Sequence, residues 1–208
     1  SSTSRGLGDV YKRQTMGGAL ILLALVVSTV LWADPTNTMV WLVTAVTALY
    51  GGIGFIDDSR KIKRRDTGGL SARYKLLLQF TIAFVVCGYL WYGDSGLPAD
   101  WVKIRDLLNV PFIAFDRHPI ALPTWLYVVL AAIWVVGISN AVNLTDGLDG
   151  LAIGPVMINA ATYGILAYLA GLVIFGNDIA TYLHIPSIDS VGELAIFCGA
   201  LILSLIHI

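Results

Sequence analysis

Six long stretches without a single charged residue constrain the fold of this 208-residue chain more than any other feature. The first five hold 18 to 28 residues each, and a helix of about 20 apolar residues is enough to cross a bilayer. Backbone polar groups in lipid must find their hydrogen-bond partners within the protein, so these stretches are helices. The sequence therefore predicts an all-α, polytopic transmembrane helical bundle, with about five full spans and a truncated sixth. The predicted spans are Gln14–Ala33, Pro35–Ile56, Leu76–Gly93, His118–Thr145, Gly150–Asn177 and Leu194–Ile208.

The composition supports a membrane protein over the other classes. Charged residues make up 13% of the chain and hydrophobic residues 57%, whereas about a quarter of a soluble domain is charged. A disordered chain would be far more polar. The net charge of −1 offers no bulk attraction to nucleic acid, so no nucleic-acid partner is expected. Cys87 and Cys198 stand alone in apolar stretches and form no zinc or redox motif.

Basic residues predict the orientation. The 57–75 connection carries seven of the thirteen Lys and Arg residues, and the positive-inside rule places such a loop in the cytoplasm. Counting spans from there puts 143–150 inside as well, and puts 34–38, 94–117 and 177–190 outside. The outer connections hold seven acids against three bases, which agrees with this orientation.

Two adjacent carboxylates, Asp57 and Asp58, follow the second apolar stretch at the cytoplasmic face. Ionisable residues at membrane depth indicate a functional site. We expect the pair to act on one ion or one phosphate-bearing group. The alternative is a solvated pair that balances the basic run after it.

Asn143, Asp146 and Asp149 recur every third residue in the second cytoplasmic connection. Helical spacing would align them on one side, and oxygen side chains of this kind suit Mg²⁺, a sugar or a nucleobase. The alternative is a polar turn whose Asn and Asp residues cap helices.

A third candidate is the Thr15-Met16-Gly17-Gly18 run at the start of the first span. Two glycines and a hydroxyl at a helix N-terminus can hold an anion, although a simple helix cap would look the same. All three candidates lie at the cytoplasmic face, and the spans themselves are nearly uniformly apolar. This arrangement favours chemistry at the inner surface over passage of a solute through the membrane.

Four stretches, TMGG, GFIDDSRKIKRRDTGGLSARYK, NAVNLTDGLDGLA and YLHIP, occur in this order between about Thr15 and Ala200. Together they closely resemble the phospho-N-acetylmuramoyl-pentapeptide-transferase family, one of the polyprenyl-phosphate N-acetylhexosamine-1-phosphate transferases. The resemblance implies Mg²⁺-dependent transfer of phospho-MurNAc-pentapeptide from a UDP carrier to undecaprenyl phosphate, giving lipid I and UMP. It also implies a multi-pass protein of the bacterial inner membrane with a cytoplasmic active site.

The resemblance assigns roles to individual residues. It implies catalytic roles for Asp57 and Asp58 and substrate binding by Asn143, Asp146, Asp149 and Thr15. Asn143 and Asp57 become the candidate metal ligands. A homodimer is left open as an assembly, and a related GlcNAc-1-phosphate transferase and a transporter fragment without enzymatic activity remain alternatives.

The sequence also departs from the family pattern. A later Gly-Asp-x-Gly-Ser stretch, whose Asp binds the metal in the family, and a His-rich cytoplasmic loop are both absent. We therefore expect an inactive fragment: a non-native leader at 1–14, a partial transmembrane transferase domain at 15–202 and a doubtful end at 203–208.

Overall fold

The computed structural model describes residues 3–64, 69–108, 120–145, 151–174 and 177–206, and the side chains of 3–17, 62–64 and 177 are outside this description. Helices dominate the described part of the chain. They are α1 (Thr3–Trp32), α2 (Thr38–Arg64), α3 (Ala72–Tyr92), α4 (Ala99–Ile104), α5 (Thr124–Thr145), α6 (Ile153–Ala170), α7 (Ile179–Tyr182) and α8 (Leu194–Ile206). Two short antiparallel hairpins pair β1 (Leu107–Leu108) with β2 (Ile120–Ala121) and β3 (Val173–Ile174) with β4 (Asn177–Asp178).

The predicted all-α membrane bundle is confirmed. Among the described residues, four helical segments are long and apolar enough to cross a membrane: Thr38–Lys61, Ala72–Tyr92, Thr124–Thr145 and Ile153–Ala170. Two shorter apolar helices, Gly18–Trp32 and Val191–Ile206, correspond to the first and last predicted spans. The chain is therefore a multi-pass membrane protein.

Several predicted span boundaries are wrong. α2 continues to Arg64, well past Ile56, so Asp57 and Asp58 lie on a helix and not in a loop. Lys61 pairs with Asp57 one turn away at 2.8 Å, and ion pairs at this spacing support a helix beyond its apolar part.

The fifth and sixth helices are shorter than their apolar stretches. α5 begins only at Thr124, because Pro123 ends the segment that follows the β1–β2 hairpin and its carbonyl accepts the Leu126 N–H at 2.9 Å. α6 ends at Ala170, where Gly171 caps it through a bond from its N–H to the Leu169 carbonyl. An uncharged stretch limits where a span can lie, but prolines and caps decide where the helix stops.

The helices pack in a definite order. α3 lies against α5 and α2, α1 lies between α2 and α8, and α6 packs on α8. Where α3 meets α5, Ala83, Ala132 and Val136 are almost fully buried with Phe80 beside them. Small residues let two helices approach closely in lipid, where packing takes over from the hydrophobic effect.

Hydrogen bonds connect two segments at the end of the bundle that is predicted to lie outside the cytoplasm. The Asp34 N–H donates to Glu193 at 3.0 Å, and the Asn37 amide donates to the Ser190 carbonyl at 2.7 Å. Hydrogen bonds from the backbone N–H and the hydroxyl of Thr36 hold the pKa of the Asp34 carboxyl below its ordinary value. These contacts join the α1–α2 turn to the segment before α8.

The same end is also rich in tryptophan. Of the six tryptophans, five lie near it: Trp32, Trp41, Trp91, Trp101 and Trp125. Tryptophan concentrates at membrane–water interfaces, so this end of the bundle marks one face of the membrane. The opposite end carries the basic run.

Labelling of single cysteines tests the orientation. With Cys87 and Cys198 replaced by alanine, we expect a membrane-impermeant maleimide to label Ser95→Cys in right-side-out vesicles. Arg60→Cys should react only after the vesicles are permeabilised, because the positive-inside rule predicts that the basic end faces the cytoplasm. Labelling of Arg60→Cys in sealed vesicles would contradict the orientation.

Candidate active site

Asp57 is held in place near the C-terminal end of α2. The positive-inside rule predicts that this end of the bundle is cytoplasmic, and we call it the inner end. The Asp57 Oδ2 lies 2.8 Å from the Lys61 ammonium, and its Oδ1 accepts the backbone N–H of Leu70 at 2.6 Å. The side chain is only 14% exposed. The carboxylate therefore ties the end of α2 to the residues that lead into α3, whose first turn is capped by Ser71.

Asp58 has a different environment. Its side chain is 52% exposed and its Oδ1 lies 3.3 Å from the Lys61 ammonium. Consecutive helical residues point about 100° apart, so only one of the two can turn towards the bundle. The two acids share Lys61 as a counter-ion but not a common orientation.

Gly69 allows Asp57 to take this position. A Cβ at residue 69 would overlap Asp57 Oδ1 and would also lie 2.8 Å from the Lys61 side chain. The Asp57 carboxylate is short and has little room to move away. Glycine is thus required here for close approach of the backbone to the carboxylate.

A cavity of about 240 Å³ opens between α2, α3 and α5 at the same end of the bundle. Most of its wall groups are polar. They are Tyr50, Lys75, Gln79, Ser139 and Asn143, together with Ile53, Gly54 and Val142. Lys75 links this cavity to the acidic pair, because its ammonium is close enough to act electrostatically on Asp57. The site thus combines cationic, amide and hydroxyl groups beside a carboxylate.

The structure describes some of the predicted site residues and not others. Asn143 lies in the last turn of α5, is exposed and lines the cavity. Asp57 does not line the cavity itself but lies one helical turn beyond Ile53 and Gly54, which do. The side chain of Asp58 is 52% exposed.

Asp146 and Asp149 lie outside the described residues. Thr15 lies inside α1, which begins at Thr3, so the predicted helix N-terminus at the 15–18 run is wrong. The side chain of Thr15 is outside the description.

Four further residues were not singled out from the sequence. Lys61 was visible as a basic residue four positions after Asp57, which is the spacing of a helical ion pair. Gln79 was visible as the one amide within the third apolar stretch. Lys75 was visible only as one of the seven basic residues of the 57–75 connection. Tyr50 carried no signal, because only the packing of the helices brings it to the cavity.

The donor chemistry of the proposed metal ligands can also be examined. The carboxylate of Asp57 and the amide oxygen of Asn143 are the hard oxygens that Mg²⁺ accepts. No group of three His, Cys, Asp or Glu side chains suited to a metal occurs within the described ranges. The described residues therefore supply oxygen donors of a kind that a divalent metal accepts, without forming a cluster of three such acids or ligating side chains.

Comparison with known proteins identifies the class to which this fold and site belong. Residues 40–206 match the model of glycosyl transferase family 4, so the chain belongs to that family.

Three curated relatives carry one name, Phospho-N-acetylmuramoyl-pentapeptide-transferase. The protein of Sorangium cellulosum (strain So ce56) is 57% identical over 188 residues, covering 90% of this chain and 50% of the relative. That of Desulfotalea psychrophila is 48% identical, covering 90% of this chain and 48% of the relative. That of Maricaulis maris is 46% identical, covering 90% and 49% respectively. The chain thus spans about half the length of the curated relatives it matches.

Replacing Gly69 tests how the carboxylate is held. We expect Gly69→Ala to displace Asp57 and break its bond to the Leu70 N–H. Losing a hydrogen bond to a charged group costs about 1.5–3 kcal/mol, so the thermal unfolding midpoint in detergent should fall. Gly52→Ala is the matched control, since a Cβ there meets nothing within 4 Å. Equal midpoints for the two variants would show that position 69 has no special need for glycine.

Proposed function

We propose that this chain is part of an enzyme that transfers phospho-MurNAc-pentapeptide from its UDP carrier to undecaprenyl phosphate, giving lipid I and UMP. The observation that carries the proposal is the shared name of three relatives that are 46–57% identical over 90% of this chain. The inner-end site supports it with groups suited to a diphosphate. The comparisons do not favour the GlcNAc-1-phosphate transferase or the transporter.

The reaction joins two anions, and the site supplies the opposite charge. A phosphate oxygen of the lipid attacks the sugar-bound phosphorus, a new P–O–P link forms, and the bond to UMP breaks. Lysine ammonium groups bind phosphate as point charges, and Lys75 presents one in the cavity wall. Lys61 is already paired with Asp57 and Asp58, so Lys75 is the cation that would reduce the repulsion between donor and acceptor.

A strong general base is not needed for this attack. The second pKa of a phosphate monoester is near 6, so the lipid phosphate is mostly dianionic at neutral pH. We propose direct attack, in which Asp57 or Asp58 accepts a residual proton or orients the metal. A covalent intermediate on one of these carboxylates is the alternative route.

Family membership is consistent with a divalent metal, and we propose Mg²⁺ with Asp57 and Asn143 among its ligands. When bound, it would neutralise the diphosphate and stabilise the leaving UMP. Asp57 would then bind the metal in addition to joining α2 to the residues before α3, because Lys61 and the Leu70 N–H already contact its two oxygens. Asn143 would contribute a neutral amide oxygen from α5.

The proposed partners follow from the same reaction. They are UDP-MurNAc-pentapeptide, undecaprenyl phosphate and the lipid bilayer. A homodimer of the chain is a further proposed assembly. The proposed location is the bacterial inner membrane with the active site in the cytoplasm. Asp146 or Asp149 would accept a hydrogen bond from the uracil N–H, and Thr15, inside α1, would contact substrate.

Measuring UMP release tests this function. Membranes containing this chain, alone and joined to the part of the Sorangium cellulosum relative that it does not match, receive both substrates and Mg²⁺. We expect the joined protein to release UMP only when undecaprenyl phosphate is present. Omitting the lipid should leave no sugar phosphate on Asp57 or Asp58, because direct attack forms no such adduct. No UMP from the joined protein would overturn the proposal.

Conservative variants of the acidic pair test its role in the joined protein. We expect Asp57→Asn and Asp58→Asn each to lower UMP release at least about a hundredfold, which is the usual scale for a proton-transfer or charge-stabilising group. Asp100→Asn is the control, since that acid pairs with Lys103 at 2.9 Å at the opposite end of the bundle. Wild-type release by either Asp57→Asn or Asp58→Asn would remove that acid from the mechanism.

A further inference from the structure

One buried amide interrupts the apolar interior of the bundle. Gln79 lies two turns into α3 from the inner end and is only 4% exposed. A buried polar side chain destabilises a protein unless it finds a hydrogen-bond partner. An apolar residue would fill this position without that requirement, so the contacts of Gln79 call for an explanation.

These contacts join three helices. The Gln79 side-chain oxygen accepts the amide of Asn140 on α5 at 2.8 Å. The Gln79 backbone carbonyl accepts the hydroxyl of Tyr50 on α2 at 3.0 Å. Asn140 also donates to the Val136 carbonyl at 2.8 Å, which fixes the orientation of its amide. We call Tyr50, Gln79 and Asn140 the three-helix junction.

The junction borders the cavity of the candidate active site. Tyr50 and Gln79 both line that cavity together with Lys75 and Asn143. Lys75 precedes Gln79 by four residues on α3, and Asn143 follows Asn140 by three residues on α5. Residues at these spacings share a helix face. The Gln79–Asn140 bond therefore lies one turn from Lys75 on one helix and one turn from Asn143 on the other.

We propose that Gln79 is a positioning residue, which sets α3 against α5 so that Lys75 and Asn143 face the same cavity. Small apolar residues such as Ala83 and Ala132 pack these helices closely, but they allow more than one rotation or sliding position. A single polar pair in an apolar interface admits one register. The effect on catalysis rests on the proposed function, while the effect on cavity geometry does not.

The geometric test uses the full chain in membranes, with both native cysteines replaced by alanine and Ser139→Cys placed in the cavity wall. The measurement is the rate at which a water-soluble maleimide alkylates residue 139. We expect Gln79→Leu to change this rate at least about threefold, which corresponds to the ~0.6 kcal/mol of an average interhelical hydrogen bond in a membrane. The reciprocal exchange, Gln79→Asn with Asn140→Gln, keeps the combined side-chain length and should restore the rate.

A control separates positioning from general loss of a buried polar group. Thr44→Val removes a hydroxyl that is buried in α2 but has no hydrogen-bond partner, and it should leave the alkylation rate unchanged. If Gln79→Leu is not recovered in membranes, the single Gln79→Asn variant replaces it, because its shorter side chain cannot reach Asn140. An unchanged rate in the variant tested, or an exchange that fails to restore it, overturns the proposal.

The kinetic test uses the protein joined to the unmatched part of its relative. We expect Gln79→Leu to raise KM for UDP-MurNAc-pentapeptide about threefold with a smaller change in kcat, because Lys75 and Asn143 would lose their shared orientation. The reciprocal exchange should restore KM. If no variant releases UMP but the alkylation rates respond as expected, the proposed function fails and the positioning role stands. If UMP is released and KM is unaffected by Gln79→Leu, the catalytic part of the inference fails.

Discussion

The absence of hydrogen-bond partners in lipid is the constraint on which the rest of this structure depends. It forces each apolar stretch into a helix and leaves the ends of the bundle as the natural places for exposed charge. Asp57 and Lys61 lie at the end of α2, Lys75 near the start of α3 and Asn143 at the end of α5. The proposed site for anionic substrates depends on where these four residues are allowed to lie.

Within the bundle, the same constraint makes a buried polar side chain destabilising unless it finds a hydrogen-bond partner in the protein. The buried side chain of Gln79 is paired with Asn140, and the hydroxyl of Thr29 bonds to the Leu25 carbonyl in its own helix at 2.8 Å. The first contact fixes two helices relative to each other, whereas the second fixes none. A buried polar contact can set the relative position of two helices only when it crosses between them, and the crossing at Gln79 lies beside the site.

The sequence predicted the helices better than it predicted the site. Long uncharged stretches indicate spans directly, but the start of α5 depended on Pro123 and the length of α2 on an ion pair beyond its apolar part. The acidic pair was identifiable because two carboxylates at the end of a span are unusual. The different environments of Asp57 and Asp58 could not be predicted, because the orientation of Asp57 depends on Gly69 and Leu70 in the following segment. The cavity needed three helices to be packed before Tyr50, Lys75 and Gln79 could be seen to share it.

The most direct test of the account is a structure of the joined protein with UDP-MurNAc-pentapeptide bound. If the cavity between α2, α3 and α5 belongs to the active site, the diphosphate will lie within hydrogen-bonding distance of the Lys75 ammonium, with Asn143 at the same ligand. A nucleotide bound elsewhere, with the cavity empty and Asp57 remote from the phosphates, would contradict the central claim that these inner-end groups form one site.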